Sequence, residues 1–213
     1  PDADRLAVAT ADGRYVGEEC TLALAVENIL ARRKGPVVVN CSTSGMTAAI
    51  AARFGVPCHV SAVGEANVVD RMLAAGAVIG GEGNGGVIHP DVVLVRDSAV
   101  AMALVLDLMC RGGALVPLDA LARSLPSMAM EKAKVDLDPS TTGPALVAAL
   151  ERVERAFPAA RADRLDGLRL DWPGGWLLVR ASNTEPIVRI VAEAASAADA
   201  REAIERAARA IAG

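Results

Sequence analysis

The sequence predicts an α/β fold: a parallel-sheet α/β domain, then an α+β domain with an antiparallel sheet and two helices. Three observations carry this. Short β-rich runs alternate with helical segments from about residue 10 to 112, the pattern of a parallel sheet covered by helices on both faces. The rhythm changes after Gly112-Gly113, and three strand-like runs follow in quick succession at 165–171, 176–180 and 187–193. Apolar residues make up 53% of the 213 and aromatics only 2%, so the core must be built from Ala, Val, Leu and Ile.

The elements follow in order. Residues 6–10 read as a short strand before the turn signal Ala11-Asp12-Gly13. Leu22, Val26, Ile29 and Leu30 recur at helical spacing within 18–33. Val37-Val38-Val39 is a buried strand, 44–54 a helix, 58–60 a strand, 68–75 a helix, 78–80 a strand and 98–111 a long helix. Beyond the glycine pair, 117–125 is a short helix and 128–135 a strand. Residues 138–144 form a turn-rich connection, and Leu146, Leu150, Val153 and Phe157 share one helix face. The last helix opens at Ser196-x-x-Asp199, a capping-box-like start, and buries Ala200, Ile204, Ala207 and Ile211. The linker between the domains is expected within 112–125.

Composition narrows the function. Net charge is −4, with 22 basic and 26 acidic residues. Scarce aromatics leave no stacking platform for bases, which argues against nucleic acid as a partner. Cys20, Cys41, Cys58 and Cys110 form no C-x-x-C pair and read as buried free thiols. The longest apolar runs are interrupted before membrane length. The expectation is a soluble, cytoplasmic protein with no membrane partner.

Polar loops carry the chemistry. In a parallel sheet, ligands sit at the carboxyl ends of strands, here 40–44, 61–64 and 81–86. Gly81-Glu82-Gly83-Asn84-Gly85-Gly86 presents Glu82 and Asn84 from a backbone that can approach a ligand closely. A carboxylate and an amide suit sugar hydroxyls; a flexible turn with an incidental Glu is the competing reading. The acidic residue argues against a phosphate-cradling glycine loop. Arg180 to Arg189 packs two guanidinium groups, Ser182, Asn183 and Thr184 into ten residues between two strands. Forked arginines and short hydroxyls are what a phosphate dianion needs. Asp2 and Asp4 form a hard-cation pair of the kind that holds Mg²⁺, though two ligands are too few for a tight site. Ser42-Thr43-Ser44 reads as a helix cap before an anion site, His59 as a packing residue, and His89 as a residue beside the glycine loop.

Together, Asp2-Ala3-Asp4-Arg5, Gly81-Glu82-Gly83-Asn84-Gly85 and Arg180-Ala181-Ser182-Asn183-Thr184-Glu185-Pro186 resemble three motifs of the α-D-phosphohexomutase family, in family order. That family includes phosphoglucomutase, phosphomannomutase and phosphoglucosamine mutase. The resemblance implies the carboxy-terminal half of such an enzyme. Residues 1–10 would be the tail of metal-binding domain two, 11–113 the sugar-binding domain three and 114–213 the phosphate-binding domain four. It implies interconversion of hexose 1-phosphate and hexose 6-phosphate, of glucose or mannose, through a phosphoserine that this chain lacks; phosphoglucosamine mutase and a non-catalytic phosphosugar-binding module are the alternative readings. Asp2 and Asp4 would then bind Mg²⁺, and Arg5 would lie beside the phosphoserine. Glu82 and Asn84 would bond ring hydroxyls, and Arg180, Ser182, Asn183, Thr184 and Arg189 would grip the phosphate. The implied partners are a phosphorylated hexose, the amino-terminal half of the enzyme, and a second copy in a homodimer. Some relatives carry a lysine near the glycine that aligns with Gly64; here Val63 to Arg71 has none. Glu65, Asn67 and Arg71 stay open as contacts, and so does an amino sugar as substrate.

Overall fold

The computed structural model describes residues 2–136, 143–182 and 186–213. The chain divides into two compact units, one ending at Pro126 and the other starting at Ser127.

The first unit is built from α1 (Glu18–Leu30), β1 (Val37–Asn40), α2 (Gly45–Arg53), β2 (Cys58–Ser61), α3 (Glu65–Ala75), β3 (Ile79–Glu82), β4 (Gly86–Ile88), α4 (Ser98–Met109) and α5 (Leu118–Ser124). The strand order is β2-β1-β3-β4. The first three strands are parallel, and β4 returns antiparallel along β3, pairing Gly81 with Val87. The sheet is therefore mixed at one edge, not wholly parallel. Val37 and Val39 face a core with Leu22, Val26, Ile50 and Val105, while Val38 packs with Val68, Met72 and Ile88 on the other side. One strand thus feeds two apolar layers, because successive side chains point to opposite faces. Leu118 and Leu121 of α5 pack on the first core, which carries the division past the break expected at Gly113.

Residues 6–10 form no strand. Ala9 makes one isolated antiparallel bridge with Tyr15, too little for a ladder. Cys110 stands exposed at the end of α4, whereas Cys41 is buried. Burial pushes the half-buried Cys58 thiol up to about 11. Among the described residues, no single helix is long and apolar enough to cross a membrane.

The second unit holds β5 (Ala129–Asp136), α6 (Gly143–Ala156), β6 (Arg161–Asp163), β7 (Leu168–Trp172), β8 (Gly175–Ala181), β9 (Ile187–Ala194) and α7 (Ala197–Ala212). Its sheet is antiparallel in the order β5-β9-β8-β7-β6. Leu168, Leu170, Leu177, Val179, Val188 and Ile190 form its core with Val153 of α6 and Ala200, Ile204, Ala207 and Ile211 of α7. The Ser196 hydroxyl caps α7 by accepting from the Asp199 backbone N–H at 3.1 Å. Most of the turn expected at 138–144 lies outside the described residues.

Candidate functional site

In the first unit, polar groups gather at the carboxyl ends of β1 and β3 and at the start of α3. Glu82 ends β3 and is 3% exposed. Its Oε1 accepts from Asn40 Nδ2 at 2.6 Å and from the Gly64 backbone N–H at 3.1 Å. Its Oε2 accepts from Arg96 Nη1 at 2.5 Å and from Asn84 Nδ2 at 3.5 Å. A buried carboxylate is tolerated only when its lone pairs are filled in this way. Gly64 can present its N–H because it takes φ 118° as the N-cap of α3. The positive end of the α3 dipole adds to the favourable field.

Asn40 is oriented in turn by three donors to its Oδ1: the Ser42 N–H, the Ser42 hydroxyl and the Thr43 hydroxyl, at 2.9–3.0 Å. Thr43 Oγ1 also accepts from the Gly83 N–H at 3.1 Å. Ser44 caps α2 through its hydroxyl, which accepts from the Met46 N–H. So the 42–44 segment caps a helix and supports the loop after β3. Asn84 folds back over its own loop, its Oδ1 accepting from the Gly86 N–H.

The amino-terminal segment is buttoned onto this loop. The Leu6 N–H donates to the Gly85 carbonyl at 3.0 Å, and the Thr21 hydroxyl donates to the Leu6 carbonyl. Gly85, at φ 87°, has no room for a Cβ against the Leu6 carbonyl. Asp4 thereby reaches Arg96, whose Nη2 lies 2.7 Å from Asp4 Oδ2. Arg5 sits beside Asp4 at 3.6 Å and is largely exposed.

The donor chemistry of Asp2 and Asp4 suits a hard cation, and two carboxylates supply only part of an octahedral shell. No group of three or more His, Cys, Asp or Glu placed to hold a metal occurs among the described residues. Asp4 is moreover occupied by a guanidinium.

The three residues left open between Gly64 and Arg71 take separate places. Glu65 Oε2 accepts from the Arg96 backbone N–H at 2.8 Å and from its Nε at 3.2 Å. Asn67 donates to the Val63 carbonyl, and Arg71 lies against His59. His89 follows β4, which runs back along β3, so it lies near the start of β3 and not at the glycine loop. Two strand steps separate Gly80 from Glu82, about 7 Å, and His89 lies beyond that. Its Nδ1 accepts from the Asp91 N–H instead.

In the second unit, Arg180 and Arg189 occupy directly opposed positions on β8 and β9. Lys134 of β5 opposes Arg189 from the other side. Three cations thus form one row across three strands. Like charges directly opposite destabilise a sheet, and an anion is the chemistry that such a row could take. Asp166 offsets part of it, its Oδ1 lying 2.8 Å from Arg180 Nε. The Ser182 N–H donates to the Ile187 carbonyl and closes the strand ends around the loop. Asn183 and Thr184 lie outside the described residues.

Sequence reasoning placed Asn40 only within the strand end 40–44 and missed Lys134 and Arg96. Arg96 carried one signal: it is the sole Lys or Arg between Arg71 and Arg111. A lone cation in so apolar a stretch needs a buried partner.

Comparison with known proteins covers both units. Residues 18–128 match the sequence model of phosphoglucomutase/phosphomannomutase, alpha/beta/alpha domain III, and 140–210 that of the C-terminal domain of the same proteins. A "Phosphoglucomutase/phosphomannomutase" of Thermococcus kodakarensis is 35% identical over 205 residues, covering 96% of this chain and 44% of that protein. A "Phosphoglucosamine mutase" of Rubrobacter xylanophilus is 33% identical over 196 residues, covering 90% and 41%. The crystal structure of a phosphoglucomutase/phosphomannomutase family protein from Burkholderia thailandensis superposes with a TM-score of 0.79 at 25% identity, covering 99% of this chain and 44% of that one. The chain therefore spans less than half the length of the curated relatives it matches. With an α/β domain III followed by the C-terminal domain, the chain belongs to the phosphoglucomutase/phosphomannomutase family.

Proposed function

We propose that this chain is the sugar- and phosphate-binding part of a phosphohexomutase, an isomerase of phosphorylated hexoses, and that its sugar is a hexosamine. The observation that carries the reading is Glu82, a buried carboxylate held by four donors on a glycine-rich loop at the carboxyl edge of the sheet. The opposed Arg180 and Arg189 support a phosphate-binding role for the other loop.

Charge favours the amino sugar. Asp4, Glu65 and Glu82 meet a single guanidinium, so the loop keeps an excess of negative charge. A protonated amine is attracted there and a neutral hydroxyl is not. The names of relatives from Rubrobacter xylanophilus and Methanopyrus kandleri, "Phosphoglucosamine mutase" and "Probable phosphoglucosamine mutase", point the same way.

In the whole protein, a phosphoserine outside this chain would donate and recover the phosphoryl group. Such transfer depends on positioning and charge stabilisation, and this chain's residues would supply the positioning. Arg180, Ser182, Asn183, Thr184 and Arg189 would hold the phosphate that does not react. Glu82 and Asn84 would bond the ring, and Arg5 would lie near the reacting group. No step is assigned to a metal. The chain alone binds and does not turn over.

Calorimetric titration tests the substrate. Glucosamine 6-phosphate should bind more tightly than glucose 6-phosphate, and inorganic phosphate more weakly than either. Equal affinity for the two sugars would remove the hexosamine assignment. Interconversion of the sugar phosphates by this chain alone would remove the division of labour.

A further inference from the structure

We infer that Arg96 is the positioning residue of the sugar loop: it fixes Glu82 and Asp4 in one geometry while the Asn84 amide yields its place on Glu82 to a ring hydroxyl. The inference rests on the phosphosugar reading above.

Arg96 contacts three carboxylates from three separate segments. Nη1 meets Glu82 at 2.5 Å, Nη2 meets Asp4 at 2.7 Å, and Nε meets Glu65 at 3.2 Å. Every nitrogen of the guanidinium is engaged, and the planar fork fixes the angles between the three partners. Its backbone is held as firmly. The Arg96 N–H donates to Glu65, the Asp97 N–H to the Val87 carbonyl, and the Asp97 side chain caps α4 through the Ala99 and Val100 N–H groups. The stem crosses Gly86 so closely that a Cβ there would overlap Arg96 Cδ. A guanidinium anchored at stem, backbone and head is preorganised.

Glu82 sets the second half of the inference. A carboxylate offers about four lone-pair sites, and four donors already occupy them. A ring hydroxyl can bond Glu82 only by replacing one. Asn40 and Gly64 are built into β1 and the start of α3, and Arg96 carries the compensating charge. Asn84 is the weakest, at 3.5 Å, and sits on the loop itself. Its exchange costs least and leaves the anion neutralised. Released, the Asn84 amide is available to a neighbouring hydroxyl.

The experiment titrates wild type, Arg96→Met, Arg96→Lys and Arg180→Ala with glucose 6-phosphate and, separately, with inorganic phosphate. Glucose 6-phosphate carries the ring hydroxyls without an ammonium, so the negative charge unmasked in the variants attracts nothing in compensation. Arg96→Met should weaken glucose 6-phosphate about tenfold and leave inorganic phosphate within about twofold, a difference of about 1.4 kcal/mol between the two ligands. Arg96→Lys keeps a charge but not the fork, and should recover only part of the loss. A residue that served folding alone would shift the melting temperature without changing the ratio of the two affinities. If Arg96→Met does not fold, Arg96→Lys decides by the same ratio. An unchanged ratio in a folded variant overturns the role of Arg96. Should Arg180→Ala lose both ligands while the Arg96 variants lose neither, the phosphosugar reading stands and only the Arg96 assignment falls. Should wild type bind neither glucose 6-phosphate nor glucosamine 6-phosphate, both fall; should it bind only the amino sugar, the same ratio is read with that ligand.

Discussion

Arg180 of β8 and Arg189 of β9 stand directly opposite each other in the antiparallel register, and Lys134 of β5 continues the row. A sheet gains nothing from three like charges in line. An anion bound there converts the repulsion into attraction, so binding and stability are linked. Phosphate at millimolar concentration should raise the melting temperature of the second unit by several degrees. Sodium chloride should erode the effect, because exposed charges are screened. Arg189→Gln should melt slightly higher than wild type without phosphate and respond less to it. An equal response from both proteins would take Arg189 out of the anion site.

Gly83 is pressed against Glu19. A Cβ at Gly83 would overlap both carboxylate oxygens of Glu19, one of which accepts from the Ser44 N–H at 2.9 Å. The carboxylate ends a flexible side chain and can swing aside, but it then leaves the start of α2. Gly83→Ala should therefore cost about 1–2 kcal/mol, the scale of one lost bond to a charged group. In a Glu19→Ala background the same change should be nearly neutral. Additive losses in the double variant would mean that the loop backbone, not Glu19, resents the methyl group.

Asp107 ties α4 to α1 and gives the fold a small acid dependence. The Asn28 amide donates to Asp107 Oδ2 at 2.9 Å, and this bond, with Arg32 and Arg111 nearby, lowers the carboxyl below its ordinary value of 3.8. A depressed carboxyl stabilises the fold above the unfolded value, and the contribution disappears as pH falls through the folded one. Its side chain is 43% exposed, so solvent screening holds the effect under about 1 kcal/mol. Wild type should exceed Asp107→Asn in urea midpoint at about pH 6, and the gap should close below about pH 4. A gap that persists at low pH would assign the difference to packing.

Local patterns made much of this legible. Val37-Val38-Val39 could only be a buried strand, and glycines around Glu82 and Asn84 marked a loop at the strand end. The three carboxyl ends named from the sequence contribute Asn40, Gly64 and Glu82 to one cluster. Other features depend on partners distant in the chain. β4 is three residues, Gly-Val-Ile, and becomes a strand only because β3 offers it an edge. β6, Arg-Ala-Asp, has no apolar pattern at all and is exposed throughout. Residues 6–10 have the composition of a strand but only one bridge to satisfy it. Arg96 stood out only as a lone cation, since its meaning lies in carboxylates at positions 4, 65 and 82. A site made by convergence leaves little local signature.

Asn40 shows how strictly that convergence is specified. Its Oδ1 accepts three bonds, from Ser42 and Thr43, while its Nδ2 gives one to Glu82. Asn40→Asp keeps the acceptor side and removes only the donor. Two carboxylates would then meet at hydrogen-bond distance in a site where Asn40 is 3% exposed. Like charges so placed cannot both ionise, so the introduced carboxyl holds its proton to higher pH. A group whose folded value is raised stabilises below its unfolded value and loses that contribution as pH rises through the folded one. Asn40→Asp should therefore be destabilised by about 2–4 kcal/mol near pH 8, the cost of an uncompensated buried charge, and should recover much of this near pH 5. Asn40→Ala loses donor and acceptor alike, introduces no charge, and should be destabilised equally at both pH values. Chemical denaturation of the two variants across that range makes the comparison. Parallel pH profiles would show that the Asn40 amide is not what holds Glu82.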